Sequence, residues 1–595
     1  MARRPASEPA SSSDSRLQTS TASLRGTMAR VIVVDERDVV ADAIVKALTE
    51  SGGIEWSARA PASKRGGLDR VAALINDQRI DTVVFAPFSA SQKYGIPDLG
   101  HAEALFRCCA RARIRRFVLL ASAAAWDCTH HNPGLISESR PLRPGSAGPI
   151  AAAWIELERI ARACLADCGA ELTILRLSPM PVPEGADYFS RLFSHDLAVS
   201  PAGYDPSIQI LSPVDLAAAV RCAIHRSRGG VFNVAPDSVI SLRRAFRLAG
   251  VERVPVPYWL QRIVRAALAP AGVAHPISQV NYIRYSFAVS NEKIKRDLGF
   301  VPARSSARAL LDLKRGAAGS EQMMSDISYD PFGMDENYIA AFGRTLFKFL
   351  ERYYWRIEVD GIENVPRRGR VMLVGIHRGF MPWDGVMALH LMVQRIGRYP
   401  RFLVHPGLLK FPFLFNFIRK LGGVIACRDN ADYFLERDEM VGMFPEGVRG
   451  AFSLYRDAYR LGKFGRDEFV KMALRNRTPI LPFVTVGSAE VFPILKTIEW
   501  KWWKRRMEWP CFPITPTFPW LPLPLPSKWH TQFLAPIHIE ERYTVEAACD
   551  ARVVQAISQE VRARLQDAMN KMLALRKSLF HGSIFEQAER DRDAT

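Results

Sequence analysis

At 595 residues the chain exceeds what one hydrophobic core serves, so two or three domains are expected. Its 48% hydrophobic and 10% aromatic content excludes a disordered chain, and nine scattered cysteines without a Cys-x-x-Cys pair exclude a disulfide framework and point to a reducing cytoplasm. The net charge of +19 predicts an acidic partner, read as an anionic membrane surface or a CoA phosphate; with no zinc-finger spacing or RNA-recognition signature, nucleic acid is set aside.

Residues 1–28 are rich in Ser, Ala and Arg and read as a disordered tail, with Met28 as an alternative start. From 29 to about 315, short apolar runs alternate with helical patterns: Val-Ile-Val-Val at 31–34, a helix through Leu48, then Thr-Val-Val-Phe at 82–85, Phe-Val-Leu-Leu at 117–120 and Leu-Thr-Ile-Leu at 172–175. Such alternation predicts a doubly wound parallel α/β sheet. The small, polar segment 316–335 reads as a linker, and a helical stretch over 338–354, apolar at Ile339, Phe342, Leu346 and Leu350, opens a second α/β domain over 336–580. A final amphipathic helix is predicted over 551–579, and 581–595 reads as a polar tail.

With Ala-Ser-Ala-Ala-Ala-Trp at 121–126 and Gly-Val-Phe-Asn-Val at 230–234, the first domain resembles the extended short-chain dehydrogenases and NAD-dependent epimerases. The resemblance implies a Rossmann-like sheet. The family's glycine-rich phosphate turn falls on Asp35, Asp38 and Ala41, where carboxylates repel a pyrophosphate, and its Tyr-x-x-x-Lys pair falls on Ile150 and Trp154; of that cofactor and catalytic set Ser122 is retained. The domain is therefore read as a pseudoenzyme that binds a partner, a lipid or a metabolite, with NAD(P) doubtful and an active reductase as the alternative.

In the second domain the run Val-Met-Leu-Val-Gly-Ile over 371–376 reads as a buried strand, which puts His377 at its carboxyl end, where open α/β sheets bind ligands. Pro382 suits a turn into a helix start, so Asp384 is placed to orient the imidazole as a general base. Phe-Pro-Glu-Gly over 444–447 follows, then Arg449.

These blocks, with Gly-Gly-Val-Ile-Ala-Cys-Arg over 422–428 and Thr-Pro-Ile-Leu-Pro over 478–482, resemble the glycerolipid acyltransferase superfamily in kind and order. Six residues rather than four separate His377 from Asp384, as in its monoacylglycerol acyltransferase-like branch. The resemblance implies an O-acyltransferase: His377 deprotonates a lipid alcohol, which attacks the thioester of acyl-CoA or acyl carrier protein. Glu446 and Gly447 hold the acceptor, Arg428 and Arg449 recognise any phosphate on it, and Pro482 shapes a strand entrance. Neither a metal nor a cofactor is required for the transfer. A bifunctional reductase and acyltransferase, or a non-catalytic scaffold, are the alternatives.

No run of 18 or more apolar residues is present, so peripheral membrane association is expected, through the aromatic stretch 411–418 and the tryptophan and cation cluster 500–509. The proline-rich 512–526 is expected as an extended wall near the acyl channel.

Overall fold

The computed structural model describes residues 29–585 except 36–37, 51–53, 62–66, 89–94, 167, 183–186, 227, 258, 269–276, 316–329, 466 and 519–522. The tail 1–28, most of the expected linker and most of the tail beyond 580 therefore lie outside the described residues.

Apolar runs become strands where both faces are covered, and the first half shows this residue by residue. Its strands are β1 (Ala29–Asp35), β2 (Ile54–Pro61), β3 (Thr82–Ala86), β4 (Arg116–Ser122), β5 (Glu171–Leu177) and β6 (Gly230–Val234). They form one parallel sheet in the order β2-β1-β3-β4-β5-β6, reversing direction of growth at β1 and β3. Val31 and Val33 face α1 (Asp38–Thr49) and α5 (Pro213–Arg226). Ile32 and Val34 face α2 (Gly67–Asp77), α3 (Leu99–Arg111) and α4 (Pro149–Ala166). Two-residue alternation between two helical layers is the doubly wound, Rossmann-like arrangement.

In the second half, β7 (Glu358–Asp360), β8 (Val371–Gly375), β9 (Arg401–Val404), β10 (Val424–Ile425), β11 (Met440–Met443), β12 (Ile480–Val486) and β13 (His530–Phe533) form a sheet in the order β7-β13-β12-β8-β11-β9-β10. β13 runs antiparallel to β12, and the remaining neighbours are parallel. Met372 and Val374 face α11 (Glu468–Arg475) and the long closing helix α13 (Ala551–Leu575). Val371 and Leu373 face α7 (Trp383–Ile396) and α6 (Glu336–Arg344). The remaining helices used below are α8 (Leu414–Lys420), α9 (Arg428–Leu435), α10 (Gly447–Ala451) and α12 (Lys501–Met507).

Four expectations are corrected. The stretch 338–354 is not one helix: it breaks at Thr345 (φ −115°, ψ −97°), resumes over Leu346–Phe349 and loosens into a π-turn over Leu350–Tyr354. The closing helix stops at Leu575, four residues early. The part of the linker that is described, from Asp330, is packed rather than extended: Asp330 pairs with Arg401, and Phe332 is buried against Phe434. Pro482 sits within β12 opposite Val374, inside the sheet and not at its entrance.

Candidate active site

β8 ends at Gly375, where only glycine fits between two rings; a Cβ would come within 2.3 Å of the Phe483 ring and 2.9 Å of the Phe444 ring. The chain then leaves the sheet through 376–382 and re-enters regular structure at α7, with Pro382 at its N-cap. This loop returns Asp384, in the first turn of α7, to face His377. His377 Nδ1 lies 2.8 Å from Asp384 Oδ2, with the two side chains 12% and 1% exposed. A carboxylate only accepts, so Nδ1 carries the proton, which in the neutral imidazole makes Nε2 the base. The same Asp384 oxygen also accepts from the Arg378 backbone N–H at 3.0 Å, which fixes the carboxylate in the dry interior.

His377 opens onto a cavity of about 200 Å³. Apart from His377, His405 and the Trp509 indole, its described lining is aliphatic, aromatic, methionine or glycine, with Leu389, Phe402, Met443, Leu408, Ile418 and Leu421 among it. A cavity of that lining accepts hydrocarbon and offers no partner to a charge.

The Phe-Pro-Glu-Gly block closes the site from the next strand. Gly447 N–H donates to Phe444 O at 2.9 Å, and Gly447 takes φ +58°, the left-handed conformation that glycine adopts without steric cost. The Phe444 ring lies 5.1 Å from the His377 ring, tilted by 37°, and Gly447 and Val448 line the cavity. Glu446 is placed otherwise than expected. One carboxylate oxygen pairs with Arg378 at 2.7 Å and the other accepts from Gly462 N at 2.8 Å, so its charge is consumed inside the protein rather than presented to an acceptor.

Arg378 is the residue that sequence reasoning missed. It is 4% exposed, and besides Glu446 its guanidinium donates to the carbonyls of His377, Gly450, Ala458 and Arg460, tying the His377 loop to the 446–460 segment. Arg428 does not reach the cavity: it heads α9, 62% exposed, and pairs with Asp432 one turn on. Arg449 is exposed on α10, beside Val448, and makes no ion pair among the described residues.

In the first half, Asp35 is fully buried and its carboxylate accepts from Ala41 N–H at 3.2 Å, in the first turns of α1. An internal anion thus occupies a donor of the helix end where a phosphate would bind. Asp38 begins α1, and its side chain lies outside the described residues. Ser122 caps the short turn after β4, accepting from Ala124 N, and lines a second, smaller cavity with Ile150 and Trp154.

Two of the proposed membrane-facing stretches separate differently from expectation. In 411–418, Phe415 and Ile418 are buried against the first half, and Phe411 stacks on Trp509; Phe413 remains 71% exposed. In 500–509, Trp503 packs on Trp509 and Phe512, leaving Trp500 and Trp502 half exposed beside the cations of α12. No described helix is long and apolar enough to cross a membrane. Of the proline-rich segment, 519–522 lie outside the described residues and none of the described part lines the cavity; it touches the wall from behind, Phe518 lying 4.9 Å from cavity-lining Phe380.

A buried carboxylate–imidazole pair at the carboxyl edge of a largely parallel sheet, open to an apolar cavity, defines an enzyme equipped to activate a hydroxyl beside a hydrocarbon chain. Residues 356–486 match the family model described as Acyltransferase. An uncharacterized protein of Mycobacterium tuberculosis is 35% identical over 271 residues, covering 44% of this chain and 74% of that protein. Phytyl ester synthase 2, chloroplastic, of Arabidopsis thaliana is 30% identical over 144 residues, covering 23% of this chain and 20% of that protein. The solved structure of UDP-N-acetylglucosamine 4-epimerase from Bacillus cereus is similar at 15% identity and a TM-score of 0.35, covering 48% of this chain and 98% of that chain. The chain belongs to the acyltransferase family and is an acyltransferase fused to a Rossmann-like domain.

Proposed function

We propose that this acyltransferase moves a fatty acyl group from a thioester, acyl-CoA or acyl carrier protein, to the hydroxyl of a glycerolipid or related lipid alcohol at a membrane surface. The observation that carries the reading is the 2.8 Å His377–Asp384 pair at the mouth of an uncharged apolar cavity. Nε2 takes the proton of the acceptor hydroxyl as its oxygen attacks the thioester carbonyl carbon. The tetrahedral intermediate then collapses, the C–S bond breaks, and the thiolate leaves with the proton held on the imidazolium. Asp384 stabilises that imidazolium and holds its tautomer. The phytyl ester synthase relative supports a lipid alcohol as acceptor.

In this reading Arg378 and Glu446 position the site without touching substrate, and Arg449 is the cation available to a phosphorylated acceptor. The first half acts as a partner domain without hydride chemistry, because Asp35 fills the phosphate position and Ile150 and Trp154 stand where a proton donor and a cation are needed.

Release of free thiol from long-chain acyl-CoA by the full chain, in the presence of lipid alcohols, tests the reading. His377→Ala should lower turnover by about 10²- to 10⁴-fold, the usual contribution of a general base. A folded His377→Ala variant that turns over at the wild-type rate would refute the mechanism.

A further inference from the structure

The segment that walls the cavity on one side is also the segment that the Rossmann-like half grips. Leu408 of the turn Pro406–Lys410, Ile418 of α8 and Leu421 at its C-cap line the cavity. Leu409, Phe415 and Ile418 of the same stretch are buried in the core that holds Tyr204 and Tyr285. Ile418 belongs to both.

The grip is polar as well as apolar. Lys410 O accepts from Tyr204 Oη and, at 3.1 Å, from Arg284. Asn416 donates to Gly203 O at 2.9 Å and accepts from Asp205 N at 3.0 Å. Arg419, 7% exposed, donates to Asp205 O and Ser207 Oγ. A second contact reaches the stretch packed beside it, where His130 Nε2 lies 3.0 Å from Glu508, which pairs with Lys410 at 2.6 Å and precedes cavity-lining Trp509.

The backbone between these anchors is strained. Phe413 takes φ +64°, ψ −47°, and Leu414 N donates to Pro412 O at 2.8 Å, a γ-turn of the positive-φ form that side-chain-bearing residues avoid. Such a conformation persists only where its surroundings enforce it. Here the enforcing group is Gly203, whose carbonyl accepts from Phe413 N at 2.8 Å.

We propose that the Rossmann-like half acts as a clamp on the acyltransferase cavity: the 203–207 turn holds 406–420 in a strained position and so sets which apolar chain the cavity admits. Gly203, Tyr204 and Arg419 are then positioning residues for substrate selection, acting from outside the site. The inference rests on the acyl-transfer reading for one of its two readouts and is independent of it for the other.

Both readouts use the full chain. Gly203→Ala is the wedge: at φ +80° its Cβ would lie 2.6 Å from Pro412 Cβ and 2.8 Å from Phe413 N. Tyr204→Phe is the gentle variant, keeping the ring and losing the bond to Lys410 O. The first readout is kcat/KM over saturated acyl-CoA from medium to long chain. Each variant should change the ratio of long- to medium-chain turnover by about tenfold or more, the scale of methylene discrimination in apolar pockets. The second is amide hydrogen exchange, which should rise over 411–420 and stay unchanged over 371–375.

Unchanged chain preference in a folded, active Tyr204→Phe and Gly203→Ala pair would overturn the clamp. So would exchange over 411–420 equal to wild type. If wild type transfers no acyl group, the functional reading fails, and the exchange result still decides the clamp. If Gly203→Ala does not fold, Tyr204→Phe and Arg419→Lys decide both readouts.

Discussion

Replacing Arg378 with alanine should unfold the acyltransferase half several degrees early, and the size of the effect follows from its surroundings. The guanidinium is 4% exposed and its partner, the Glu446 side chain, 8% exposed, at a separation of 2.7 Å. Alanine leaves that carboxylate in the interior with one remaining donor, Gly462 N, and also removes a donor from four carbonyls, of which Gly450 O keeps Ser453 Oγ. Breaking a buried pair from one side costs about 3–5 kcal/mol, a large share of the roughly 5–15 kcal/mol that holds a domain together. For a domain of this size that corresponds to a fall in melting temperature of about 6–20 °C. Thermal melts followed by circular dichroism and tryptophan fluorescence read it directly. The double variant Arg378→Met/Glu446→Leu removes both charges and should regain most of the loss, because no unpaired charge stays buried. Acyl transfer should remain low in both variants, since the His377 loop has lost its tie to 446–460. A single variant that melts with wild type, or a double variant as unstable as the single, would refute the argument.

If the acceptor is phosphorylated, Arg449→Ala should raise its KM well above any change in the donor's, whereas Arg428→Ala, already paired with Asp432, should leave both unchanged; steady-state kinetics on phosphorylated and neutral acceptors tell them apart. Burial pushes His130, with help from the charge of His131, and His530, against the pull of Glu358, down to about 4 from an ordinary value near 6.5. The unfolded chain therefore takes up these protons first, so stability should be level above about pH 6.5 and fall as the pH drops towards 4; His130→Gln should flatten part of that slope in melts across the range. Vesicle sedimentation should show binding to anionic lipid that weakens with salt, and Trp500→Ser with Trp502→Ser should remove the salt-resistant part. Calorimetry should find no micromolar binding of NAD(H) or NADP(H), while Asp35→Gly releases the Ala41 N–H; micromolar binding by the unaltered chain would contradict the closed phosphate site.

His377 and Asp384 were legible because the whole device lies within one short window, where a strand end, a proline and a helix start set the geometry locally. The first half's sheet was legible for a similar reason, since each strand covered on two faces writes its own apolar run; in the second half the central runs at 371–376 and 478–487 were legible, while short strands such as Glu358–Asp360 and His530–Phe533 carry no such run. Arg378 was not, because its partners other than the His377 carbonyl lie 68 to 82 residues away and an arginine beside a histidine reads as surface. Glu446 failed for the complementary reason: a carboxylate in a turn carries no local sign that a distant guanidinium will claim it. The stretch 411–418 misled because apolar rings bounded by cations suit a lipid surface and a domain joint equally, and only the tertiary structure shows that Phe415 and Ile418 meet Tyr204 and Tyr285. Thr345 breaks its helix although the apolar spacing runs on through it, since periodicity records which face is buried and says nothing of continuity.

The hydrogen bonds joining the 203–207 turn to 410–419 span 206 to 214 positions of chain. At roughly 5–20 residues per second, a ribosome takes about 10–40 s to deliver the second side of the joint after the first. Through the later part of that interval, once Tyr285 has joined Tyr204, the Rossmann-like half carries an uncovered aromatic face in a nascent chain still lacking Phe415. Its own sheet can close early, yet the surface it will share cannot. Synthesis pauses between positions 285 and 420 therefore prolong the exposure of a sticky face, and a chain released within that stretch carries the face permanently, which makes the yield of soluble protein sensitive to codon choice there.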